Sequence, residues 1–361
     1  MKIVEIITGR MAIPLKKPFK TALRTVEAID DVIVKITTDD GRVGYGEAAP
    51  TAVITGDTTA SISYAVENVI GKQLVGMEIE NTEAIMERLD GCMVKNTSAK
   101  AAVDIAIYDL LGQLYGAPLF RLWGGYRSEL RTDITISVNE PEQMARDSAE
   151  AVKLGYDTLK IKVGKDSQRD IERINAIRRV VGNDVALRID ANQGWKPKEA
   201  VRTLRKLEDE GLLIELVEQP VVAHDVEGLK HVTDNVDIPV MADESMFSTL
   251  DALKIMQMRA ADLVNIKLMK TGGIHNALKI CALAEINGIE CMMGCMLEGK
   301  ISVTAAAHLA AAKRVITKID LDGPSLCSED TIPGGANFDE YQIRLSETPG
   351  FGFGEIKGLD L

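Results

Sequence analysis

Five charged residues recur at nearly regular intervals through the middle of the chain. Each stands at or near the end of a short apolar run that is followed by turn residues and a helix-like stretch. The five are Lys162, Asp190, Glu218, Asp243 and Lys267. Their spacing of about 24 to 28 residues is the length of one strand plus one helix. Charges at the carboxyl ends of successive strands indicate the top of a (β/α) barrel, where such barrels carry their chemistry.

The three carboxylates between the two lysines form a candidate metal site. Any one of Asp190, Glu218 and Asp243 alone could cap a helix or pair with a basic side chain. Three on consecutive strands would repel one another unless a cation holds them together. Oxygen ligands without His or Cys suit Mg²⁺ or Mn²⁺ better than zinc, and Asn192 is a candidate supporting group. We therefore predict a Mg²⁺ site, with Mn²⁺ as the other possible ion.

The two lysines that flank this site are candidate bases. An unperturbed lysine is almost wholly charged near neutral pH, so a base needs a lowered pKa. Lys160 leaves the same strand face as Lys162, and its charge and a nearby divalent cation would lower the pKa of Lys162. Alternatively, Lys160 and Lys162 are solvent-exposed residues without a catalytic role. The alternative for Lys267 is an ion pair with a neighbouring carboxylate. Bases on opposite sides of one carbon suit stereochemical inversion, in which one removes a proton and the other returns one.

Two further charged features lie outside this series. Asp320 and Asp322 end the last strand candidate in KIDLDGP. They form either a chain reversal at Asp-Gly-Pro or a pocket for a cation such as a substrate ammonium. Arg24 lies between two strand candidates, and it matters for function only if its loop covers the barrel mouth.

The elements around these residues fall into two groups. Residues 1–49 are β-rich, with a hairpin turn at Asp40-Gly41, and a helical region follows that includes Ser98–Tyr115. Beyond it, eight strand candidates alternate with amphipathic helical stretches, which predicts a closed parallel α/β barrel. The eight are TDITISV, DTLKIKV, VALRID, LLIELVE, IPVMAD, LVNIKLM, IECMMGC and RVITKIDL.

These two groups predict two domains. An α+β domain covers residues 1–125 and the barrel covers residues 126–327. The Gly-rich, strand-like tail from about 328–361 is expected to return to the N-terminal domain and complete it.

Composition narrows the classes of partner. A net charge of −12 argues against nucleic acid and anionic membranes, which both require a positive surface. The 5 cysteines include no Cys-x-x-Cys motif, which indicates a reducing compartment. A zinc ion on Cys291 and Cys295 would lack further ligands, which argues against a zinc site. No apolar run approaches a membrane span and the N-terminus has no signal-peptide core, so we expect a cytoplasmic protein.

Several motifs together resemble the muconate-lactonizing subgroup of the enolase superfamily. They are TLKIKVG, RIDANQGW, VEQP, ADES, NIKLMKTGG and AAVDIAIYDLLGQLYGAPLFRLWGG, and the resemblance covers essentially the whole chain. It implies a (β/α)7β modified TIM barrel beneath an N-terminal α+β capping domain. It also implies Mg²⁺ on the three carboxylates, Lys162 and Lys267 as acid/base groups, and the enediolate chemistry for which that superfamily is known.

Within the subgroup, the sequence resembles dipeptide epimerases. Asp320 and Asp322 resemble their site for the substrate α-ammonium, and Arg24 resembles the residue that binds a glutamate side chain. Thr135 and Cys295 match substrate-lining positions, although Cys295 could equally be a buried structural thiol. The expected substrate-binding set is Arg24, Thr135, Lys160, Cys295, Asp320 and Asp322.

The function predicted on this basis is epimerisation of L-Ala-L-Glu and L-Ala-D-Glu, as in murein-peptide metabolism. The partner is a small dipeptide, and a homo-oligomer is expected. The rivals are an N-acylamino-acid racemase or o-succinylbenzoate synthase, a cycloisomerase, and a dipeptide epimerase that does not prefer glutamate. Substrates of the racemase and synthase carry no ammonium, which would leave the two aspartates without a role. A barrel that only binds a ligand would not need two lysines and three carboxylates.

Overall fold

A computed structural model describes residues 1–21 and 25–357 of the chain. The described part contains an antiparallel sheet with helices, a nearly closed parallel barrel, and a small third sheet that includes the C-terminal region. No helix in these two ranges is both long and apolar enough to cross a membrane.

The N-terminal part is a three-stranded antiparallel meander followed by helices. Its strands are β1 (Ile3–Lys20), β2 (Thr25–Thr38) and β3 (Val43–Ala48). The predicted hairpin at Asp40-Gly41 joins β2 to β3, and Gly41 supplies the positive φ (+83°) that the turn requires. The helical elements are α1 (Thr59–Tyr64), a π-helical segment (Ala65–Ile70), α2 (Gly71–Leu74), α3 (Thr82–Gly91), α4 (Thr97–Tyr115) and α5 (Leu119–Leu122).

Helix α4 is the central helix of this part and was predicted from its apolar spacing. It is buried on nearly every side and packs against β3. The close approach depends on glycine, since a Cβ atom at Gly46 would collide with the carbonyl group of Ala102. The helix ends at Gly116, whose φ of +63° gives a left-handed cap.

All eight predicted barrel strands are present, and they form one sheet in chain order. After a short strand β4 (Glu129–Arg131), they are β5 (Ile134–Ile136), β6 (Thr158–Lys162), β7 (Ala186–Asp190), β8 (Ile214–Glu218), β9 (Val240–Ala242), β10 (Leu263–Ile266), β11 (Glu290–Gly294) and β12 (Ile316–Asp320). The helices of this part are α6 (Pro141–Lys153), α7 (Ser167–Val181), α8 (Pro197–Asp209), α9 (Val226–Thr233), α10 (Thr249–Met258), α11 (Leu268–Thr271), α12 (Ile274–Asn287), α13 (Lys300–Ala312) and α14 (Gly323–Leu326).

The first and last barrel strands meet through individual contacts. The backbone N–H of Asp133 donates to the carbonyl oxygen of Ile319 (3.3 Å), and the N–H of Leu321 donates to Oγ1 of Thr132 (2.8 Å). Inside the barrel, the guanidinium of Arg188 contacts Asp133 at 2.8 Å. The α/β barrel class predicted from the sequence is therefore confirmed.

The C-terminal region contacts both parts of the chain. Strands β13 (Asn337–Asp339) and β14 (Gln342–Arg344) form an antiparallel sheet with β4. Farther along, the N–H of Phe351 donates to Asp109 of α4 (2.9 Å). The predicted division of the chain at residues 125 and 126 falls in the loop after α5, and it stays a prediction.

Candidate active site

The register of the barrel strands brings charged residues to one level. Lys162 is paired with Asp190 across β6 and β7, and Asp190 is paired with Glu218 across β7 and β8. Asp243 and Lys267 come one residue after the ends of β9 and β10. The five regularly spaced residues are all buried and lie together at the carboxyl ends of neighbouring strands.

The two candidate bases contact the carboxylates from different strands. Nζ of Lys162 lies 2.6 Å from Oδ2 of Asp190. Nζ of Lys267 lies 2.7 Å from Oδ2 of Asp243 and 3.8 Å from Oε1 of Glu218. The two lysines therefore flank the carboxylate group, as the sequence spacing predicts.

Lys160 lies among carboxylates from three strands. Its Nζ atom is 2.7 Å from Glu218, 3.2 Å from Asp190 and 2.7 Å from Asp320. Burial lowers the pKa of this ammonium, but the three carboxylates outweigh burial and raise its pKa well above the ordinary value. Lys160 is thus a cation held between two of the predicted metal ligands.

The lowered pKa that we expect for a base is not found at Lys267. Burial favours its neutral form, but the negative charges of Asp243 and Glu218 prevail and raise the pKa of Lys267. A divalent cation on these carboxylates would neutralise that negative charge and remove the main cause of the upward shift.

The negative charges of the three carboxylates are neutralised to different extents by the neighbouring lysines. Although burial raises the pKa of Asp190, the lysines around it bring that pKa down to about 2. Burial likewise raises the pKa of Asp243, but Lys267 and Lys270 outweigh burial and hold that pKa well below its usual value. For Glu218, burial and the charge of Asp190 prevail and raise the pKa to about 8. Glu218 therefore has the most to gain from an added positive charge.

Buried oxygen atoms near the carboxylates lack donors. Asn265 donates to Oε1 of Glu218 (2.8 Å) and Asn192 donates to Glu244 (3.3 Å). Oδ1 of Asn192, Oδ1 of Asn265 and Oε2 of Glu244 have no hydrogen-bond partner among the described residues. Acceptor oxygens without donors suit the water ligands that a hydrated Mg²⁺ retains.

The donor set fits a hard divalent cation, with one rearrangement. As the side chains stand, no group of three His, Cys, Asp or Glu residues within 1–21 and 25–357 converges closely enough to hold a metal ion. The lysine ammoniums lie between the carboxylates instead. Binding of Mg²⁺ by Asp190, Glu218 and Asp243 therefore requires lysine ammoniums to withdraw from the carboxylate oxygens that become ligands.

The backbone after two of the carboxylates is strained. Asn192 (φ +42°), Gln193 (φ +69°) and Gln219 (φ +36°) are non-glycine residues in the left-handed region. The Gln219 side chain accepts from the N–H groups of Asp243 (2.9 Å) and Ser245 (3.1 Å). Gln219 thereby fixes the turn that carries Asp243, consistent with strain being retained where surrounding contacts support it.

A cavity lies above this charged layer. From the N-terminal part it is lined by Phe19, Thr21, Val53 and Ile54, so the end of β1 reaches the barrel mouth. Five of the six predicted substrate-binding residues also line it, namely Thr135, Lys160, Cys295, Asp320 and Asp322. The sixth, Arg24, lies outside the described residues.

Asp322 lies where the chain turns into a helix and also lines the cavity, and its role in binding an ammonium stays a prediction. It directly precedes the short helix α14, and its Oδ2 atom accepts from the N–H of Thr135 (2.7 Å). Burial and the charge of Asp320 raise the pKa of Asp322 to about 6. The pair therefore ends a strand and also presents carboxylates to the cavity.

Sequence reasoning missed three polar residues of the site. Lys270 is fully buried and donates to the carbonyl and carboxylate oxygens of Asp243, as well as to the carbonyl of Asn265 (3.1 Å). Its signal was its position three residues after Lys267, and that of Asn265 was its position two residues before Lys267. Glu244 directly follows Asp243. The apolar lining residues Met296 and Leu297 carry no such signal.

Two family models match the chain. The N-terminal domain of mandelate racemase / muconate lactonizing enzyme matches residues 3–124. The enolase C-terminal domain-like family matches residues 143–355. Together they account for both parts of the fold.

Individual relatives match over nearly the full length. An L-Ala-D/L-Glu epimerase of Clostridium acetobutylicum is 66% identical over 360 residues, which is 100% of each chain. The substrate-liganded L-Ala-D/L-Glu epimerase from Bacillus subtilis has a TM-score of 0.97 and 52% identity, with 100% of both chains covered. A dipeptide epimerase from Enterococcus faecalis, complexed with Mg and L-Leu-L-Tyr, has a TM-score of 0.95 and 47% identity, covering 98% of this chain and 100% of that one.

Proposed function

The chain belongs to the enolase superfamily, in the family of mandelate racemase and muconate lactonizing enzyme, as an isomerase of amino-acid derivatives, and we propose that it epimerises dipeptides at the α-carbon of the C-terminal residue. One observation carries the proposal. Lys162 and Lys267 approach the cluster of three carboxylates from separate strands. Lys162 contacts Asp190, and Lys267 contacts Asp243. Two such groups can act on opposite faces of one carbon.

The two lysines divide the proton transfer. The neutral lysine accepts the α-proton of the substrate, and the charged lysine donates a proton to the opposite face of the same carbon. After one turnover their protonation states are exchanged, so the enzyme is left ready for the opposite enantiomer. As the side chains stand, Nζ of Lys162 lies 2.6 Å from Asp190 and Nζ of Lys267 lies 2.7 Å from Asp243, so each lysine is beside a different proposed metal ligand.

Asp190, Glu218 and Asp243 would hold Mg²⁺, or Mn²⁺ in its place. The cation, when bound, would supply positive charge beside the substrate carboxylate and so lower the free energy of the enediolate. The fit of an all-oxygen donor set supports this assignment, as does the Mg in the Enterococcus faecalis structure. Lys160, once withdrawn from Glu218, stays within reach of Asp320.

The carboxylates at the end of β12 distinguish dipeptides from N-acyl amino acids. Asp320 and Asp322 are buried and line the cavity, and a substrate α-ammonium would offset their mutual repulsion. Lys160 pairs with Asp320 at 2.7 Å, whereas Asp322 has no ion-pair partner among the described residues. An N-acyl substrate has no ammonium, so it would leave Asp322 without a cation. This favours a dipeptide epimerase over an N-acylamino-acid racemase or o-succinylbenzoate synthase.

Among dipeptides, we propose L-Ala-L-Glu and L-Ala-D-Glu. The relatives from Clostridium acetobutylicum and Bacillus subtilis bear the name L-Ala-D/L-Glu epimerase, and Arg24 would bind the glutamate side chain. The reaction would belong to murein-peptide metabolism in the cytoplasm, catalysed by a homo-oligomer.

The experiment is a dipeptide library incubated with Mg²⁺ in D₂O and analysed by mass spectrometry. Deuterium should enter the C-terminal residue, most rapidly for L-Ala-L-Glu. Faster labelling of N-acyl amino acids would favour the racemase, and faster labelling of apolar dipeptides would favour another dipeptide preference. No labelling of any compound would refute the proposal.

A further inference from the structure

A second group of buried carboxylates lies outside the proposed catalytic site. Asp31 on β2 and Glu47 on β3 contact Gly299 and Ser302 at the start of α13, directly after Glu298 in the loop between β11 and α13. All three acidic side chains are at most 2% exposed. None of them forms an ion pair with a cation in the part of the chain that the structure describes. Three buried acids without a cation are costly unless protons neutralise some of them.

The carboxylates fasten the first turn of α13 to the N-terminal sheet. Oδ2 of Asp31 accepts from the N–H of Gly299 (3.1 Å). Oε2 of Glu47 accepts from the N–H (2.9 Å) and the hydroxyl (3.2 Å) of Ser302. Glu298 accepts from the N–H of Met296 (2.6 Å), which folds the loop on itself. The residues thus held directly adjoin the cavity.

The same loop also packs on the N-terminal sheet through apolar side chains. Leu297 forms a small buried cluster with Ile13, Ile29 and Cys327. Cys295, Met296 and Leu297 all line the cavity. The position of this segment, residues 295–299, therefore sets one wall of the substrate cavity, and the N-terminal sheet determines that position.

Asp31 and Glu47 approach the same residue of the loop. The N–H of Gly299 donates to Oδ2 of Asp31 (3.1 Å), and a Cβ atom at Gly299 would collide with Oε1 of Glu47. Two buried carboxylates on one residue, with no ion-pair cation among the described residues, favour a form in which one proton lies between them. Burial and the charges of Glu47 and Glu298 raise the pKa of Asp31 well above its usual value, and burial raises the pKa of Glu47 to about 7. Oε1 of Glu47 receives no hydrogen bond from any described N–H or hydroxyl group, so it can accept from a protonated Asp31.

We propose that the proton shared by Asp31 and Glu47 positions residues 295–299 as a wall of the substrate cavity, and that its loss at alkaline pH loosens this wall. The substrate part of this inference rests on the proposed function. Asp31 and Glu47 are positioning residues, since neither lines the proposed catalytic centre with Lys162 and Lys267.

The surroundings offer little compensation for a second negative charge. Glu298 faces the pair from the loop, and the Cys327 thiol faces it from the segment after α14, with Lys16 and Asp330 beyond. On the α4 side, Asp109 accepts a hydrogen bond from the N–H of Tyr45. Lys267 acts on Glu298 from the catalytic side. Acidic groups therefore outnumber basic ones around the pair.

The sign of the pH effect follows from these shifts. The folded state binds the shared proton more tightly than the unfolded chain does. The pair therefore stabilises the fold fully at pH values below the unfolded pKa, and this contribution is lost as pH rises through the folded pKa of Asp31. Loosening should raise KM for the dipeptide with little change in kcat, because the lysines are not moved directly.

The test compares the parent enzyme with Asp31→Asn and Asp31→Ala between pH 6 and pH 9.5. Asparagine donates to Glu47 permanently and still accepts from Gly299, so it mimics the protonated acid. In the parent, KM for L-Ala-L-Glu should rise about tenfold towards high pH, the effect of losing one hydrogen bond. Asp31→Asn should show no such rise, and Asp31→Ala should show raised KM at every pH.

A second measurement does not depend on substrate. The Tm of the parent should fall at alkaline pH relative to that of Asp31→Asn, and Glu47→Gln, which donates to an ionised Asp31, should resemble Asp31→Asn. A parent and an Asp31→Asn variant with the same pH profiles of KM and Tm would overturn the inference. Absence of epimerase activity would refute the proposed function, while the Tm comparison would still decide on the shared proton.

Discussion

Lys162 and Asp190 are paired in register on adjacent strands, and Nζ of the lysine lies 2.6 Å from Oδ2 of the aspartate. A proposed base is thus held by a proposed metal ligand of the neighbouring strand. On the other side, Lys267 has the same relationship to Asp243 at 2.7 Å. Each proposed base therefore contacts a different proposed metal ligand, and the two bases can be tested separately.

Replacing either lysine by alanine should abolish epimerisation, because each direction of the reaction needs one base and one acid. Each variant should still exchange the α-proton of one enantiomer with D₂O, through the lysine that remains. Lys162→Ala and Lys267→Ala should label opposite enantiomers, which mass spectrometry and chiral separation would show. Undiminished epimerisation in either variant would end the two-base mechanism.

Removing the charge of Glu218 should weaken metal binding. Glu218→Gln loses a negative charge from the ligand set, so Mg²⁺ affinity measured by calorimetry should fall and the rate should drop by orders of magnitude. Chelator should abolish the activity of the parent, and Mg²⁺ or Mn²⁺ should restore it. The exposed Glu227→Gln on α9 is the control and should behave as the parent does. Full activity in chelator would rule out the metal site.

Asp322→Asn should separate the dipeptide from N-acyl substrates. Truncating one partner of a partly desolvated charge pair costs roughly 2–5 kcal/mol, about 30-fold to several-thousand-fold in kcat/KM. That loss should appear with L-Ala-L-Glu and be small for any residual activity on N-acetylglutamate, which has no ammonium. Steady-state kinetics on both substrates provide the comparison. Equal losses would make Asp322 structural and favour the racemase.

Arg24→Met should change the preference for the second residue of the dipeptide. The variant would lose the positive charge proposed to bind the glutamate side chain. Its kcat/KM should therefore fall for L-Ala-L-Glu and rise relative to it for a dipeptide with an apolar second residue. Competition between the two dipeptides in one reaction measures the ratio directly. An unchanged ratio would show that Arg24 does not read the side chain.

Arg188→Met should destabilise the barrel. The guanidinium contacts buried Asp133 at 2.8 Å, and its removal leaves that carboxylate without its cation. Loss of one partner of a buried pair costs about 3–5 kcal/mol of unfolding free energy. Lys230→Met, which breaks a pair with Asp234 whose side chains are 38% and 52% exposed, should cost at most about 0.5 kcal/mol. Urea unfolding of both variants would measure the difference, and similar values would contradict it.

The sequence predicted the barrel because its signals are local. Each strand is a short apolar run, and each charged residue stands beside its own run, so spacing alone placed Lys162, Asp190 and Glu218 at one end of the sheet. Resemblance supplied further assignments, including Thr135 and Cys295. The apolar cavity residues could not be predicted, because residues such as Phe19 and Leu297 are of the same types as ordinary core residues.

Contacts between distant strands explain what the sequence could not show. Lys160 contacts Asp320, which lies 160 positions away in the chain, and no local pattern indicates that pairing. The raised pKa of Lys267 likewise depends on carboxylates from two other strands. The link between Asp31, Glu47 and the loop at Glu298 joins separate parts of the fold and was invisible for the same reason.

The lysines among the carboxylates bear on how the protein is made. Lys160, Lys162, Lys267 and Lys270 neutralise much of the acidic charge at the strand ends from within the chain itself. Small domains whose ligands have no such internal counter-ions stay unfolded until metal arrives. We therefore expect a newly synthesised chain to fold into the barrel before it binds the ion. When metal is scarce, the enzyme should then stay folded and regain activity once metal is supplied.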